Sequence, residues 1–238
     1  MKRAIVVGAS SGIGRQVALL LAANGYKVGI TGRRDQLLLN LQATNPNHFV
    51  VSVFDITDVE EVPGRLQRLK DELSGLDLLV LSSGTGKINT ELDTTIEQEI
   101  NAVNVAGFTA VADWCFNTFQ KQGFGHFAAI TSVAGIRGSR HAPAYFASKA
   151  YQINYLEGLR QRARNTKLPV YVTDIRPGFV DTAMAAGENL FWMATVEKAA
   201  GQILNGIRAK RGVVYVTRRW RLVALLFRLL PEALLRRL

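Results

Sequence analysis

Seven short, mostly apolar runs punctuate the chain, and between them apolar positions recur every three or four residues. The runs are RAIVV (3–7), KVGIT (27–31), 48–54, LDLLVL (76–81), FAAIT (127–131), 170–175 and 213–216. Their lengths suit strands buried on both faces, and the longer periodicity suits amphipathic helices. One helix is expected through Val17, Leu20 and Leu21, ended by Asn24-Gly25, and another after Asp35, which would cap it. Others are expected from Asp58 to Leu73 and over about 94–122, 145–164 and 196–208. Strand and helix alternate throughout, which predicts an α/β fold: a doubly wound, seven-stranded parallel sheet flanked by helices. No linker or repeat interrupts residues 1–217, which read as one domain followed by a tail, 218–238.

The 238 residues carry a net charge of +10. Residues 218–238 hold six arginines against one glutamate, or +5, half of that excess. A charge so localised points to a partner of the tail rather than to nucleic acid bound by the whole chain. Cys115 is the only cysteine, so no intramolecular disulfide forms, and its apolar helical setting makes it core filler. The three histidines are scattered and suggest no metal site. The amino-terminal apolar run is too short for a signal peptide, and no apolar stretch reaches transmembrane length. A cytoplasmic protein is expected, with the tail as a route to the inner face of a membrane.

After the first run comes Gly8-Ala9-Ser10-Ser11-Gly12-Ile13-Gly14, and then a helix. A strand, a glycine turn and a helix N-terminus together make a phosphate-binding arrangement. Glycines permit the tight turn and close backbone approach, and the free N–H groups of the helix face an anion. The spacing is G-x-x-x-G-x-G rather than G-x-G-x-x-G. An acidic residue to hold a ribose 2′-OH would be expected at the tip of the second strand. Gly32-Arg33-Arg34 stands there instead, and arginine suits a 2′-phosphate. NADP(H) is therefore favoured over NAD(H), with Arg33 the stronger candidate. Asp55 and Ile56, ending the third strand, lie where adenine could meet the backbone. Ser83 and Gly84, ending the fourth, would let the chain pass close beneath a dinucleotide.

Ser132 closes the fifth strand, and Tyr145 and Lys149 stand four residues apart at the start of a helix. That spacing puts phenol and ammonium on one face, a turn apart. The charge should favour phenolate and lower the tyrosine pKa. The serine hydroxyl could bond the same substrate oxygen. Tyr-x-x-x-Lys alone is a weak signal; joined to a cofactor turn it becomes an apparatus for moving a proton on and off an oxygen. Asn104, awkward in an apolar helix, reads by itself as a core amide satisfied by backbone.

Over residues 3 to about 217 the pattern resembles the short-chain dehydrogenase/reductase family, whose fold is Rossmann-type. Its TGxxxGIG motif falls on Val7-Gly8 through Gly14, with valine for threonine. Its Asn-Ser-Tyr-Lys tetrad falls on Asn104, Ser132, Tyr145 and Lys149. Its Pro-Gly motif falls on Pro177, Gly178, Val180 and Thr182, of which Val180 and Thr182 would hold the nicotinamide carboxamide. Its NNAG motif is reduced to Leu81-Ser82-Ser83-Gly84, which puts the bonds supporting the sheet there in question. The resemblance implies hydride transfer between NADP(H) and a small-molecule carbonyl/alcohol pair. Tyr145 would protonate the oxygen and Ser132 steady it. Lys149 would lower the tyrosine pKa and bond the nicotinamide ribose, and Asn104 would hold a relay water. Helices near 104–119 and 145–162 resemble those that form homodimers and homotetramers in the family. The rival reading is a catalytically silent dinucleotide-binding sensor or scaffold.

In the tail, Leu222, Leu225, Leu226 and Leu229 follow helical spacing, with Val223, Phe227 and Leu230 widening one apolar face. Arg221 and Arg228 share the opposite face. Trp220 and the arginines suit either an interfacial membrane helix or packing on the domain or a second subunit. A membrane site would make the substrate lipid-like. Residues 183–194, after the Pro-Gly turn, fall where the family carries its variable lid, and Phe191, Trp192 and Met193 could line an apolar pocket.

Overall fold

The computed structural model describes residues 1–184 and 191–231. Glu232, Arg236, Arg237 and the middle of the expected lid lie outside the described residues.

Seven strands form one parallel sheet: β1 (Arg3–Val7), β2 (Lys27–Gly32), β3 (Phe49–Val53), β4 (Leu78–Leu81), β5 (Gly125–Ile130), β6 (Val170–Pro177) and β7 (Val213–Val216), in the order β3-β2-β1-β4-β5-β6-β7. The order reverses between β1 and β4, the switch point at which such sheets bind ligands beyond their carboxyl ends. Helices α1 (Gly12–Ala23), α2 (Asp35–Thr44) and α7 (Val196–Arg208) cover one face. Helices α3 (Val62–Glu72), α5 (Phe108–Gln122) and α6 (Pro143–Thr166) cover the other. Strand β1 shows why both faces need apolar residues: Ala4 and Val6 enter the first core, Ile5 and Val7 the second. This is the period-two alternation of a pleated strand buried on both sides.

Some expectations are corrected. Asp35 is the first residue of α2, not its cap; Arg34 occupies the cap position and no side chain bonds the free N–H groups. Helix α3 begins at Val62, because residues 58–61 spend their hydrogen bonds on a turn onto Asp55 and Asp58. The single helix expected over 94–122 is three pieces. They are α4 (Thr94–Asn101), capped by Asp93, a π-helical turn (Ala102–Gly107), and α5. The wider turn places Asn104 inward, and such turns recur at functional sites.

The tail forms α8 (Trp220–Leu229), and its apolar positions split into two faces. Trp220 and Ala224 are buried against the body, with Val223 and Phe227 half-buried beside them, while Leu222, Leu225, Leu226 and Leu229 are exposed. Trp220 is therefore not an interfacial residue: its indole packs on Gly178, where an added Cβ would lie 1.9 Å from the ring.

Candidate active site

The glycine turn is fixed from both sides. Gly8 and Ala9 donate their N–H groups to the Thr31 carbonyl, each at 2.9 Å. Gly8 takes a φ of +90°, and a Cβ there would stand 2.6 Å from the Ser83 nitrogen. A Cβ on Gly14 would lie 2.1 Å from the Gly8 carbonyl oxygen. These contacts let α1 start close behind β1, with its N-terminus facing the cleft and no side chain capping it. A cleft of about 1470 Å³ runs from this turn to the end of β6. Gly8, Ser10, Ser11, Gly12 and Ile13 line its first end, and Gly14 sits behind them. Asp55, Ile56, Ser83 and Gly84 line its middle. Pro177, Gly178, Val180 and Thr182 line the far side, where the Thr182 methyl lies 3.2 Å from a Cβ built on Gly12.

Both arginines beyond β2 line the cleft, in different ways. Arg33 pairs with Asp55 at 3.3 Å and is exposed. Arg34, the lesser candidate by sequence, reaches the glycine turn: its Nη2 donates to Ser10 Oγ and Ser11 Oγ, both at 2.6 Å.

The degraded motif after β4 keeps its bonds by other means. Ser82 and Ser83 donate backbone N–H groups to Val7 O at 2.7 and 3.0 Å. Asn104 Oδ1 accepts from Thr85 N at 2.9 Å, and its Nδ2 donates to Thr85 O at 2.7 Å and Ser148 Oγ at 3.0 Å. Asn104 is thus fully satisfied beneath the cleft rather than lining it.

Thr131 anchors the end of β5 by donating to Asp174 Oδ1 at 2.6 Å, and Asp174 in turn pairs with buried Arg176 at 2.6 Å. Ser132 follows, its hydroxyl capping the 3-10 turn Val133–Ile136 by accepting from Ala134 N at 3.1 Å. Tyr145 and Lys149 project from the first turns of α6 beside it. The Tyr145 phenol lies near Ser132, and its ring packs so closely on Gly86 that a Cβ there would sit 2.6 Å away.

The expected lowering of the tyrosine pKa is corrected. Burial pushes the Tyr145 phenol up, and the Ser132 hydrogen bond opposes this only in part. Lys149 Nζ lies 5.9 Å from the Tyr145 ring centroid. The lysine carries the large downward shift instead: burial lowers it to about 8, with Asp174 pulling the other way. Burial penalises the charged form of each, which raises the phenol and lowers the ammonium.

Gln152 went unseen in the sequence. It is buried, accepts from Lys149 Nζ at 3.0 Å and donates to the Asn104 carbonyl at 2.9 Å. Its amide therefore bridges the lysine and the Asn104 carbonyl directly. Its one sequence signal is its place three residues past Lys149 on the same helix. Gly86 and Asp174 were also missed. The far end of the cleft is walled by Phe179, Phe191, Trp220 and Phe227, so the tail helix contributes to the site. Among the described residues no cluster of His, Cys, Asp or Glu could hold a metal.

With this geometry in hand, comparisons with known proteins become informative. A family model described as short chain dehydrogenase matches residues 2–191. An uncharacterized oxidoreductase of Myxococcus xanthus is 33% identical over 229 residues, covering 93% of this chain and 88% of its own. An uncharacterized oxidoreductase of Staphylococcus aureus is 33% identical over 192 residues, covering 79% and 82%. Among solved structures, a short chain dehydrogenase/reductase from Burkholderia phymatum in complex with NAD has a TM-score of 0.84 at 20% identity, covering 93% of this chain and 90% of that one. Levodione reductase gives 0.81 at 20% identity, covering 90% and 95%. At such identity these two speak for the fold alone.

Proposed function

The chain belongs to the short-chain dehydrogenase/reductase family of NAD(P)-dependent oxidoreductases, and from that premise we propose that it is an NADP(H)-dependent reductase of ketones or aldehydes. The observation that carries this reading is the convergence of Ser132, Tyr145 and Lys149 on the cleft that begins at the glycine turn. Gly8 and Gly14 let the turn close tightly on Ser83 and on the start of α1, whose uncapped N-terminus then faces the cleft where a pyrophosphate would sit, and the residues along the cleft fit the rest of a dinucleotide. Such a cofactor supplies the hydride.

The protein's own part is orientation and proton delivery. Tyr145, kept protonated by burial, gives its proton to the carbonyl oxygen, and Ser132 donates to the same oxygen to hold it in place. Lys149 holds a positive charge beside the developing oxyanion and would bond the nicotinamide ribose. Val180 and Thr182, lining the far side of the cleft, would hold the carboxamide. Asn104 and Gln152 fix the lysine from below.

Arg34 on the turn and Arg33 at its mouth favour a 2′-phosphate over a bare ribose hydroxyl. The exposed outer side of Tyr151 on α6, stacked on Tyr155 and edge-on to Phe108, is the proposed homodimer face. Steady-state reduction of a ketone and aldehyde panel with NADPH and NADH tests the assignment. We expect NADPH to give the higher kcat/KM, with Arg34→Ala reducing that preference by about tenfold or more. Equal use of both cofactors by the unaltered protein would remove the NADP(H) preference. No turnover of any carbonyl with either cofactor would favour the silent-sensor reading.

A further inference from the structure

Helix α8 faces two ways. At roughly 100° per residue, Trp220, Val223, Ala224 and Phe227 form one stripe, while Leu222, Leu225, Leu226 and Leu229 form another on nearly the opposite side. Trp220 and Phe227 of the inner stripe wall the cleft, and Trp220 rests on Gly178. The outer stripe is bare: its four leucines are 69, 55, 55 and 72% exposed.

The helix is nonetheless firmly held. Arg137, beside the 3-10 turn that follows Ser132, donates to three carbonyls at its C-terminal end, those of Phe227 (2.7 Å), Arg228 (3.1 Å) and Leu230 (3.0 Å). The outer leucines are thus displayed by a fixed element of the site.

The surroundings indicate what covers them. Arg218, Arg219 and Arg221 crowd the N-terminal end of the helix, where its dipole makes cations unfavourable and a nearby anion would offset them. Arg228 continues the basic flank about two turns beyond Arg221, on the same side of the stripe. Exposed Trp192 lies next to this flank, with the Arg219 guanidinium 4.9 Å from its ring centroid and Trp220 6.1 Å away. An apolar stripe edged by arginine and tryptophan is the make-up of a helix lying in the plane of a bilayer interface. No described helix is long and apolar enough to cross a membrane.

We propose that the outer face of α8 docks on an anionic lipid surface and that the cleft it roofs takes an apolar carbonyl or alcohol partitioned into that surface. The substrate class rests on the oxidoreductase reading above; the docking does not.

Co-sedimentation of the full chain with vesicles of phosphatidylglycerol and phosphatidylcholine, compared with pure phosphatidylcholine, tests the docking. The expected result is binding to the anionic vesicles that weakens at least about tenfold in Leu225→Glu/Leu226→Glu. Arg221→Gln/Arg228→Gln should also bind less, with a weaker salt dependence. Both variants should reduce a short, water-soluble ketone as the unaltered protein does, which separates the docking from the catalytic reading. Only the unaltered protein should gain rate on a long-chain methyl ketone dissolved in the vesicles. Vesicle binding equal in the leucine variant and the unaltered protein would overturn the docking. So would a fall in oligomer mass of the leucine variant in sedimentation velocity without vesicle binding by either, since the stripe would then be a contact between copies. Docking without any rate gain on the vesicle-borne ketone would overturn the substrate class.

Discussion

Replacing Gln152 by leucine probes how the buried lysine is held. Gln152 Oε1 accepts from Lys149 Nζ at 3.0 Å, and the Ile130 carbonyl is the lysine's other near acceptor, at 3.3 Å. Burial has already lowered Lys149 to about 8. Leucine keeps the volume but removes an acceptor that favours the ammonium. A hydrogen bond to a charged group is worth about 1.5–3 kcal/mol, and one pH unit corresponds to about 1.36 kcal/mol. The lysine should therefore lose its proton about one to two pH units lower. In ketone reduction the ammonium is the active form, so activity is present below the lysine pKa and lost as pH rises through it. The assay is kcat/KM for a soluble ketone from pH 5.5 to pH 9.5. The alkaline limb should lie near pH 8 in the unaltered protein and shift acidward in Gln152→Leu. Gln152→Glu, which adds a carboxylate, should shift it alkaline. A limb that stays in place in both variants while stability falls would show that Gln152 only packs α6, and the reasoning would fail.

Two further outcomes follow from buried groups. Asp174→Asn leaves Arg176 without its carboxylate and should cost about 3–5 kcal/mol in denaturant unfolding, with part recovered in Asp174→Asn/Arg176→Met; a loss below about 1 kcal/mol would contradict the pair's buried character. His126, bonded to Thr173 and lowered by burial from 6.5 to about 4, resists protonation in the folded chain. Its unfolded counterpart binds the proton first, so stability should fall by about 3 kcal/mol as pH drops from about 6.5 to about 4, and His126→Gln should lack that part of the slope.

The sheet was legible because a strand buried on both faces leaves a contiguous apolar run that survives inspection of a single sequence. Ser132, Tyr145 and Lys149 were legible because their spacing is set by one strand end and one helical turn. What spacing could not give was desolvation. It put an ammonium near the phenol but not both groups in the interior, so the direction of the Tyr145 shift came out reversed. Gln152 was invisible because a lone amide on a helix makes no pattern until its partners are brought in from residue 104 and residue 149. Gly86 lies in a stretch without periodicity, and only the Tyr145 ring packed on it reveals its role. The tail was read as one apolar face because its two stripes of four merge on paper. Packing on Gly178 and the Arg137 bonds to its C-terminal carbonyls separate them.

The Tyr145 hydroxyl delivers the proton at a site which otherwise only binds and orients. Pre-steady-state NADPH oxidation by Tyr145→Phe, with NADPH binding followed by fluorescence on the same samples, tests it most directly. Removal of that single oxygen should slow hydride transfer by about 10²–10⁴-fold while the NADPH Kd changes less than about threefold. Turnover at the rate of the unaltered protein would mean that the proton comes from another group.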